Sequence, residues 1–311
     1  MKFSIVIPLF NEAENVLKLN SEIIEVLSGL KSTNNEFEII YVDDSSTDNT
    51  LKILNEINNN ISTKIIKNNS NLAQSKSILN GIEVSSFNNI ILLDGDLQND
   101  PKDIIKMINV YNENENILVH GFRKNRNDPY FTKILPSKIA NFIVRKFTNS
   151  KILDHGCSLK IFDKNIIDTN EFFGDFHRLF AAQINQDIKV IEIEVNHRPR
   201  TKGKSKYGFE RVFRVFIDLI FINFSKKERS TFYTLGILGL FSFLFSLLSF
   251  LYMISLKIFQ NKSFVETPLP IIFIFFTLSG FIFFALNLVL ETLKKDIKSD
   301  TIGKKNYKIL K

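Results

Sequence analysis

Apolar and polar positions follow two different rhythms along this chain. Up to about residue 121 the apolar runs are short: FSIVIPL, FEIIYVD, TKIIK, NIILLDGD and NILVHG. Between them lie stretches with helical spacing at residues 12 to 30, 47 to 58, 73 to 86 and 101 to 112. Runs this short, bounded by polar clusters, read as strands, and the longer periodic stretches read as helices. Strand and helix taking turns predict an α/β domain with parallel strand pairing and helical crossovers. Such sheets bind ligands beyond the carboxyl ends of their strands, so candidate chemistry is sought there.

The second rhythm begins near residue 230. Phe232 to Leu256 and Leu269 to Leu290 contain no charged residue. A helix rises about 1.5 Å per residue, so each run is long enough to cross a hydrocarbon core of roughly 30 Å. Lys226, Lys227 and Arg229 precede the first run, and Lys294, Lys295 and Lys298 follow the second. The connecting loop offers only Lys257 and Lys262 against Glu266, so both termini are expected on the cytoplasmic side. Upstream, Glu210, Arg211, Arg214 and Asp218 fall on one side of a helical pattern and Phe213, Phe216, Ile217, Ile220 and Phe224 on the other. Periodicity leaves open whether that helix lies in the membrane interface or packs on the first domain. The expected organisation is a catalytic domain over 1–208, an amphipathic helix over 209–228, a transmembrane hairpin over 229–292 and a basic tail over 293–311.

Composition changes this picture little. The net charge is +7, with the basic residues gathered near the apolar blocks. Basic stretches beside two spans, with no Trp and no aromatic interleaving, argue against a nucleic-acid partner. A single cysteine, Cys157, excludes an internal disulfide and reads as a small buried apolar residue. No charged-then-apolar leader opens the chain, so export of the first domain is not expected.

The acidic residues are more informative. The second apolar run ends in Asp43 and Asp44, followed by Ser45, Ser46, Thr47 and Asp48, and the fourth ends in Asp94, Gly95, Asp96, Leu97 and Gln98. Ser46, Thr47 or Asp48 can cap the next helix. Asp94 and Asp96 project similarly from an extended chain, where they can share a divalent ion or a set of hydroxyls. Cationic partners for phosphates are Arg123 and Arg126 in GFRKNR, and Arg198, Arg200, Lys202, Lys204 and Lys206 in NHRPRTKGKSKYG. Lys202 and Lys204 fit equally a solvated or headgroup-touching loop. His155, His177 and His197 have no evident orienting partner and read as structural.

These stretches together resemble family 2 glycosyltransferases, and within them the polyprenyl-phosphate group that includes dolichol-phosphate mannose synthase and its bacterial undecaprenyl-phosphate relatives. The matching segments are IPLFNEAEN (7–15), VDDSSTDNT (42–50), LLDGDLQNDP (92–101), GFRKNR (121–126), DHGCSLKIF (154–162), FHRL (176–179) and HRPRTKGKSKYG (197–208). The resemblance implies a GT-A, Rossmann-like catalytic domain, followed by the amphipathic helix and two transmembrane helices. It implies that Pro8, Glu12, Val42, Asp44 and Asp94 hold the nucleotide. Asp94, Asp96 and Gln98 would hold Mg2+ or Mn2+, and Arg200 and Lys206 would meet the donor phosphates. Arg123, Lys133 and Ser137 would receive the acceptor phosphate. The chain departs from the group's pattern at Gly95, where Ala is usual and the exchange should be harmless. It departs again at Ala73, which replaces a common Gly, and at Lys133, where Arg is common.

The activity implied is inverting transfer of a sugar from a nucleotide sugar to a polyprenyl monophosphate, with Asp96, Arg123, Arg200 and Lys206 as the residues acting on the reacting groups. The partners implied are a nucleotide-sugar donor, a polyprenyl phosphate, the bacterial inner membrane and a second copy of the chain. An anionic phosphate nucleophile needs no strong general base, in keeping with the absence of a candidate. Two other readings are a polysaccharide-extending transferase with a sugar-hydroxyl acceptor and a non-catalytic membrane scaffold. The first is disfavoured because related processive synthases use a Q-x-x-R-W motif, which a chain without Trp cannot contain.

Overall fold

The computed structural model describes residues 1–30, 35–114, 116–124, 135–148, 152–167, 180, 188–199, 231–300 and 306–311. It divides into two compact units, Met1–Ile220 with Lys305–Lys311, and Phe221–Lys304.

In the first unit, strands β1 (Lys2–Leu9), β2 (Glu36–Asp43), β3 (Ser62–Asn68), β4 (Asn89–Leu92) and β5 (Ile117–Phe122) alternate with helices α1 (Val16–Leu30), α2 (Thr50–Glu56), α3 (Ala73–Glu83) and α4 (Asp103–Asn112). Helix α5 (Leu135–Thr148), β6 (Lys160–Asp163), β7 (Lys189–Glu194) and β8 (Tyr307–Ile309) complete it. The sheet order is β7-β5-β6-β4-β1-β2-β3-β8. Strands β4, β1, β2 and β3 pair in parallel, as strand and helix taking turns predicts. The sheet as a whole is mixed. β6 inserts antiparallel between β4 and β5, and β8 runs antiparallel along β3.

The central strands are apolar on both faces because both are covered, so β2 reads EFEIIYVD with every residue after Glu36 buried. On one face Phe3, Ile5, Ile7 and Tyr41 pack with Leu19, Ile23 and Leu27 of α1. On the other, Val6, Ile40 and Val42 pack with Ile78 and Ile82 of α3 and with Tyr307 of β8. The segment read as a basic tail thus contains a sheet strand.

The second unit contains helices α6 (Thr231–Gln260) and α7 (Leu269–Asp300). Leu235–Gln260 and Leu269–Leu290 are each long and apolar enough to cross a membrane. Their large side chains face outward, with Leu240 62% and Ile271 73% exposed, as lipid-facing residues are. The helices meet through small residues. A Cβ on Gly239 would lie 2.8 Å from the Phe284 ring and one on Gly280 2.9 Å from the Phe243 ring, and the Ser246 and Thr277 hydroxyls are 2.6 Å apart. The amphipathic helix expected over 209–228 lies outside the described residues.

Candidate active site

The loops that follow β1 and β2 are laced together. Thr47 donates its backbone N–H to Asn11 Oδ1 at 2.8 Å, Asn11 donates its own to Ser46 Oγ at 2.9 Å, and Glu12 donates to Thr50 Oγ1 at 2.8 Å. Asp48 accepts from the Thr50 N–H at 2.9 Å and from the Ala13 N–H at 3.2 Å. One residue before the N-cap Asn49, it therefore holds the first N–H of α2 and ties the first loop to the second. Glu12 Oε2 accepts from Asn15 Nδ2 at 2.6 Å. Pro8 stands opposite Val42 in the β1–β2 register, one residue before the two strands end. Val42 is fully buried.

The paired acids at the end of β2 have separate tasks. Asp43 is fully buried, and both of its oxygens accept from the Ser46 N–H at 3.3 Å. Burial raises its carboxyl above the ordinary range. Asp44 Oδ1 accepts from Asn68 Nδ2 and from the Leu72 N–H, each at 2.8 Å. Both bonds fall on one oxygen, which leaves Oδ2 for a ligand.

Beyond β4, Asp94, Asp96 and Gln98 are half-buried on one short turn. Asp94 Oδ1 accepts from Gln74 Nε2 of α3 at 2.7 Å, and Asp96 Oδ1 accepts from the Gln98 N–H at 3.1 Å. The Gln98 carbonyl accepts from the Arg198 N–H at 2.8 Å, so the segment that follows β7 runs beside this turn. Asn11 (φ 57°), Ser45 (φ 57°), Ala73 (φ 67°) and Leu97 (φ 62°) adopt left-handed backbone, and all lie around these loops. Strain concentrated in this way is a mark of functional loops.

Ala73 and Gly95 are two of the departures noted in the sequence. Ala73 has the backbone that favours Gly, so Ala73→Gly is expected to raise stability by about 1 kcal/mol. At Gly95, where Ala is usual, Leu9 fills the space that a methyl group would take. A Cβ there would lie 2.2 Å from Leu9 Cδ2 and 3.2 Å from the Pro8 carbonyl oxygen. Gly95→Ala is expected to cost about 1–2 kcal/mol in overpacking, read in the denaturant midpoint of each single variant.

Arg123 follows β5 and pairs with Asp154. Its Nε lies 2.7 Å from Asp154 Oδ2 and its Nη2 2.9 Å from Oδ1, with the side chains 11% and 5% exposed. Burial opposes the guanidinium charge, but the Asp154 carboxylate more than compensates and raises the pKa above its ordinary value. Two of the five N–H donors are used, which leaves others for a phosphate. Lys160 is 1% exposed beneath this pair, donates to the Cys157 carbonyl, and is lowered to about 8 by burial against opposing pulls that include Asp94 and Asp154. Cys157 is fully buried, as read from the sequence, and burial pushes its thiol up to about 11.

The nearby histidines are interior groups. His155 is 3% exposed with no hydrogen-bond partner on either ring nitrogen among the described residues, and His120 is 1% exposed with none on Nε2. Burial lowers His155 to about 4 and His120 well below 6.5. Above pH 6.5 neither the folded nor the unfolded chain protonates them. Below it only the unfolded chain does, so each is expected to remove about 1.4 kcal/mol of stability per pH unit down to its folded pKa. Unfolding midpoints between pH 7 and 4.5 check this, and His155→Phe should flatten the slope.

Sequence reasoning singled out the strand-end acids. It missed Asn68, Gln74, Ser77, Asn80 and the pairing role of Asp154, which are ordinary polar residues until packing brings them together. Arg198 is tied to Glu22 Oε2 at 2.6 Å and Asp100 Oδ1 at 2.7 Å. Ser137 lies half-buried in the first turn of α5. Lys133, Arg200, Lys206 and His177 lie outside the described residues.

Comparison with known proteins adds the following. The profile described as Glycosyl transferase family 2 matches residues 4–170. Dodecaprenyl-phosphate galacturonate synthase of Rhizobium johnstonii is 35% identical over 235 residues, covering 74% of this chain and 69% of that protein. Undecaprenyl-phosphate 4-deoxy-4-formamido-L-arabinose transferase of Proteus mirabilis is 34% identical over 229 residues, covering 70% and 67%. Among solved structures, mannosyl-3-phosphoglycerate synthase from Rubrobacter xylanophilus superposes with a TM-score of 0.52 at 10% identity, covering 74% of this chain and 75% of that one, a likeness of fold.

Proposed function

The chain belongs to glycosyltransferase family 2, and from that premise we propose that it moves a sugar from a nucleoside diphosphate to a polyprenyl monophosphate at the cytoplasmic face of a bacterial inner membrane. The observation that carries this reading is that two relatives, each matched over two thirds of its length, bear names that place a sugar on a polyprenyl phosphate.

Pro8, Glu12 and Asp44 bind the nucleotide at the ends of β1 and β2, whereas Val42, fully buried against α3, supports these strand ends from the core. Asp94, Asp96 and Gln98 present oxygen donors only, the set that suits Mg2+ or Mn2+. Among the described residues no group of three or more His, Cys, Asp or Glu is arranged to hold a metal. Asp94, Asp96 and Gln98 would therefore hold the ion together with the donor diphosphate, the usual arrangement for an ion bound by one or two carboxylates. When bound, the ion stabilises negative charge on the departing diphosphate. Arg200 and Lys206 neutralise the same charge.

Arg123, with Lys133 and Ser137, orients the acceptor phosphate. An oxygen of that phosphate forms a bond to the anomeric carbon as the bond from that carbon to the donor β-phosphate oxygen breaks. The bonding pair leaves with the nucleoside diphosphate, and the anomeric centre inverts. The nucleophile is already anionic near neutral pH, so no side chain has to take a proton from it.

The hairpin holds the enzyme where the acceptor tail lies. Pairing of β8 with β3 supports an orientation in which the chain returns, after its second apolar helix, to the side of the membrane that holds the catalytic domain.

The test is incubation of the purified protein with Mn2+, a panel of radiolabelled nucleotide sugars and polyprenyl phosphate. Labelled material is expected in the organic extract with at least one donor and only when the lipid phosphate is present. No such lipid with any donor overturns the reading, and label appearing on a carbohydrate acceptor instead would point to polysaccharide extension.

A further inference from the structure

Asn68 is the last residue of β3 and is fully buried. Its Nδ2 donates to Asp44 Oδ1 at 2.8 Å and to Ser77 Oγ at 2.9 Å, its Oδ1 accepts from Asn80 Nδ2 at 2.8 Å, and its carbonyl accepts from Ser45 Oγ at 2.8 Å. The amide is thus saturated from three directions, and its orientation sets which oxygen of Asp44 stays open. Helix α3, which supplies Ser77 and Asn80, also supplies Gln74 to Asp94. One buried amide therefore joins the acid beyond β2 to the helix that holds the acid beyond β4.

What holds Asn68 itself is β8. Tyr307 is its register partner, with Lys67 opposite Lys308 and Ile66 opposite Ile309. The Asn69 N–H donates to the Asn306 carbonyl at 2.9 Å, and the Leu310 N–H to the Ile65 carbonyl at 2.8 Å. Tyr307 packs 6% exposed with Ile66, Ile78 and Leu79. Without this strand the end of β3 loses the partner that keeps a terminal strand residue from fraying.

We propose that β8 is a positioning element of the donor site: by pairing with β3 as far as Asn68, it fixes the amide that orients Asp44 and thereby sets the affinity for the donor nucleotide. This rests on the reading of Asp44 as a nucleotide-binding residue. The chain segment that returns from the second apolar helix then determines how tightly the enzyme holds its soluble substrate.

The experiment uses the full chain in detergent with Mn2+, and reads binding of UDP and, in a parallel arm, GDP, together with donor KM and kcat. Lys308→Pro removes one N–H from the short ladder at an exposed position outside the site. It is expected to raise the nucleotide Kd and donor KM about five- to tenfold, the effect of one misplaced hydrogen bond, with kcat changed less than about twofold. Asn68→Ala is expected to do the same, and the double variant to be no worse than either single one, because both act through one amide. Lys308→Gly keeps the N–H and is the milder variant if the proline does not fold, with a rise of about threefold. An unchanged Kd in the Lys308 variants, a fall in kcat with KM constant, or additive effects of Lys308→Pro and Asn68→Ala overturns the proposal. Asp44→Ala separates the two levels: unchanged binding there overturns the reading of Asp44, whereas weakened binding there beside a normal Lys308→Pro overturns only the role of β8.

Discussion

Asp96→Asn is expected to lower sugar transfer by about 1,000-fold while leaving the unfolding midpoint within experimental error. The asymmetry follows from where Asp96 sits. It is half-buried on the turn after β4 and belongs to neither apolar cluster. Replacing its charge by an isosteric amide costs the fold little, because the Asn oxygen can still accept from the Gln98 N–H. The same change removes a negative charge from the oxygen set proposed to hold the divalent ion, and with it the stabilisation of charge on the leaving diphosphate. Single-turnover transfer across a Mn2+ titration checks both parts. The rate should fall at every concentration, and half-saturation should move upward. A near-normal rate would remove Asp96 from the site.

The second large effect is on the fold. Asp154→Asn is expected to destabilise the catalytic domain by about 3–5 kcal/mol, because it leaves the Arg123 guanidinium buried without its counter-charge. Arg123 is 11% exposed and Asp154 5%, so water cannot take over the lost contacts. Buried Lys160 lies in the same field and makes the surplus positive charge worse. Adding Arg123→Met should recover part of the loss, since the double variant no longer buries a lone charge. Chemical denaturation of Asp154→Asn and of the double variant measures this. A loss below about 1 kcal/mol for Asp154→Asn would show that the pair behaves as a surface ion pair does.

The parts of the fold that were legible in the sequence are those whose residues carry their own period. FSIVIPL, FEIIYVD and NIILL announce β1, β2 and β4 because covered strands are apolar throughout, and Leu19, Ile23 and Leu27 announce α1 at helical spacing. β6 (KIFD) and β8 (YKI) are short and carry charged residues, so neither shows an apolar run like that of β4, and both depend on partners far away in the chain. The parallel sheet expected from strand and helix taking turns becomes mixed for that reason. At the site, Asp44, Asp94 and Asp96 were legible because acids are rare after an apolar run. Asn68 and Asp154 were not, because a buried amide and half of an ion pair look like any polar loop residue until the partner is known. Proximity in sequence likewise could not reveal that Glu22 and Asp100 each pair with the Arg198 guanidinium.

The place of β8 at the sheet edge also fixes an order of events during synthesis. β8 comes after both apolar helices in the chain, yet its partner β3 is made before them. As the ribosome works forward, the N-terminal part of the domain folds first, with the β3 edge still open. The edge closes only after the hairpin has emerged. Assembly of the sheet is therefore completed only after both apolar helices have been made, and until then the β3 edge is an open template for another strand.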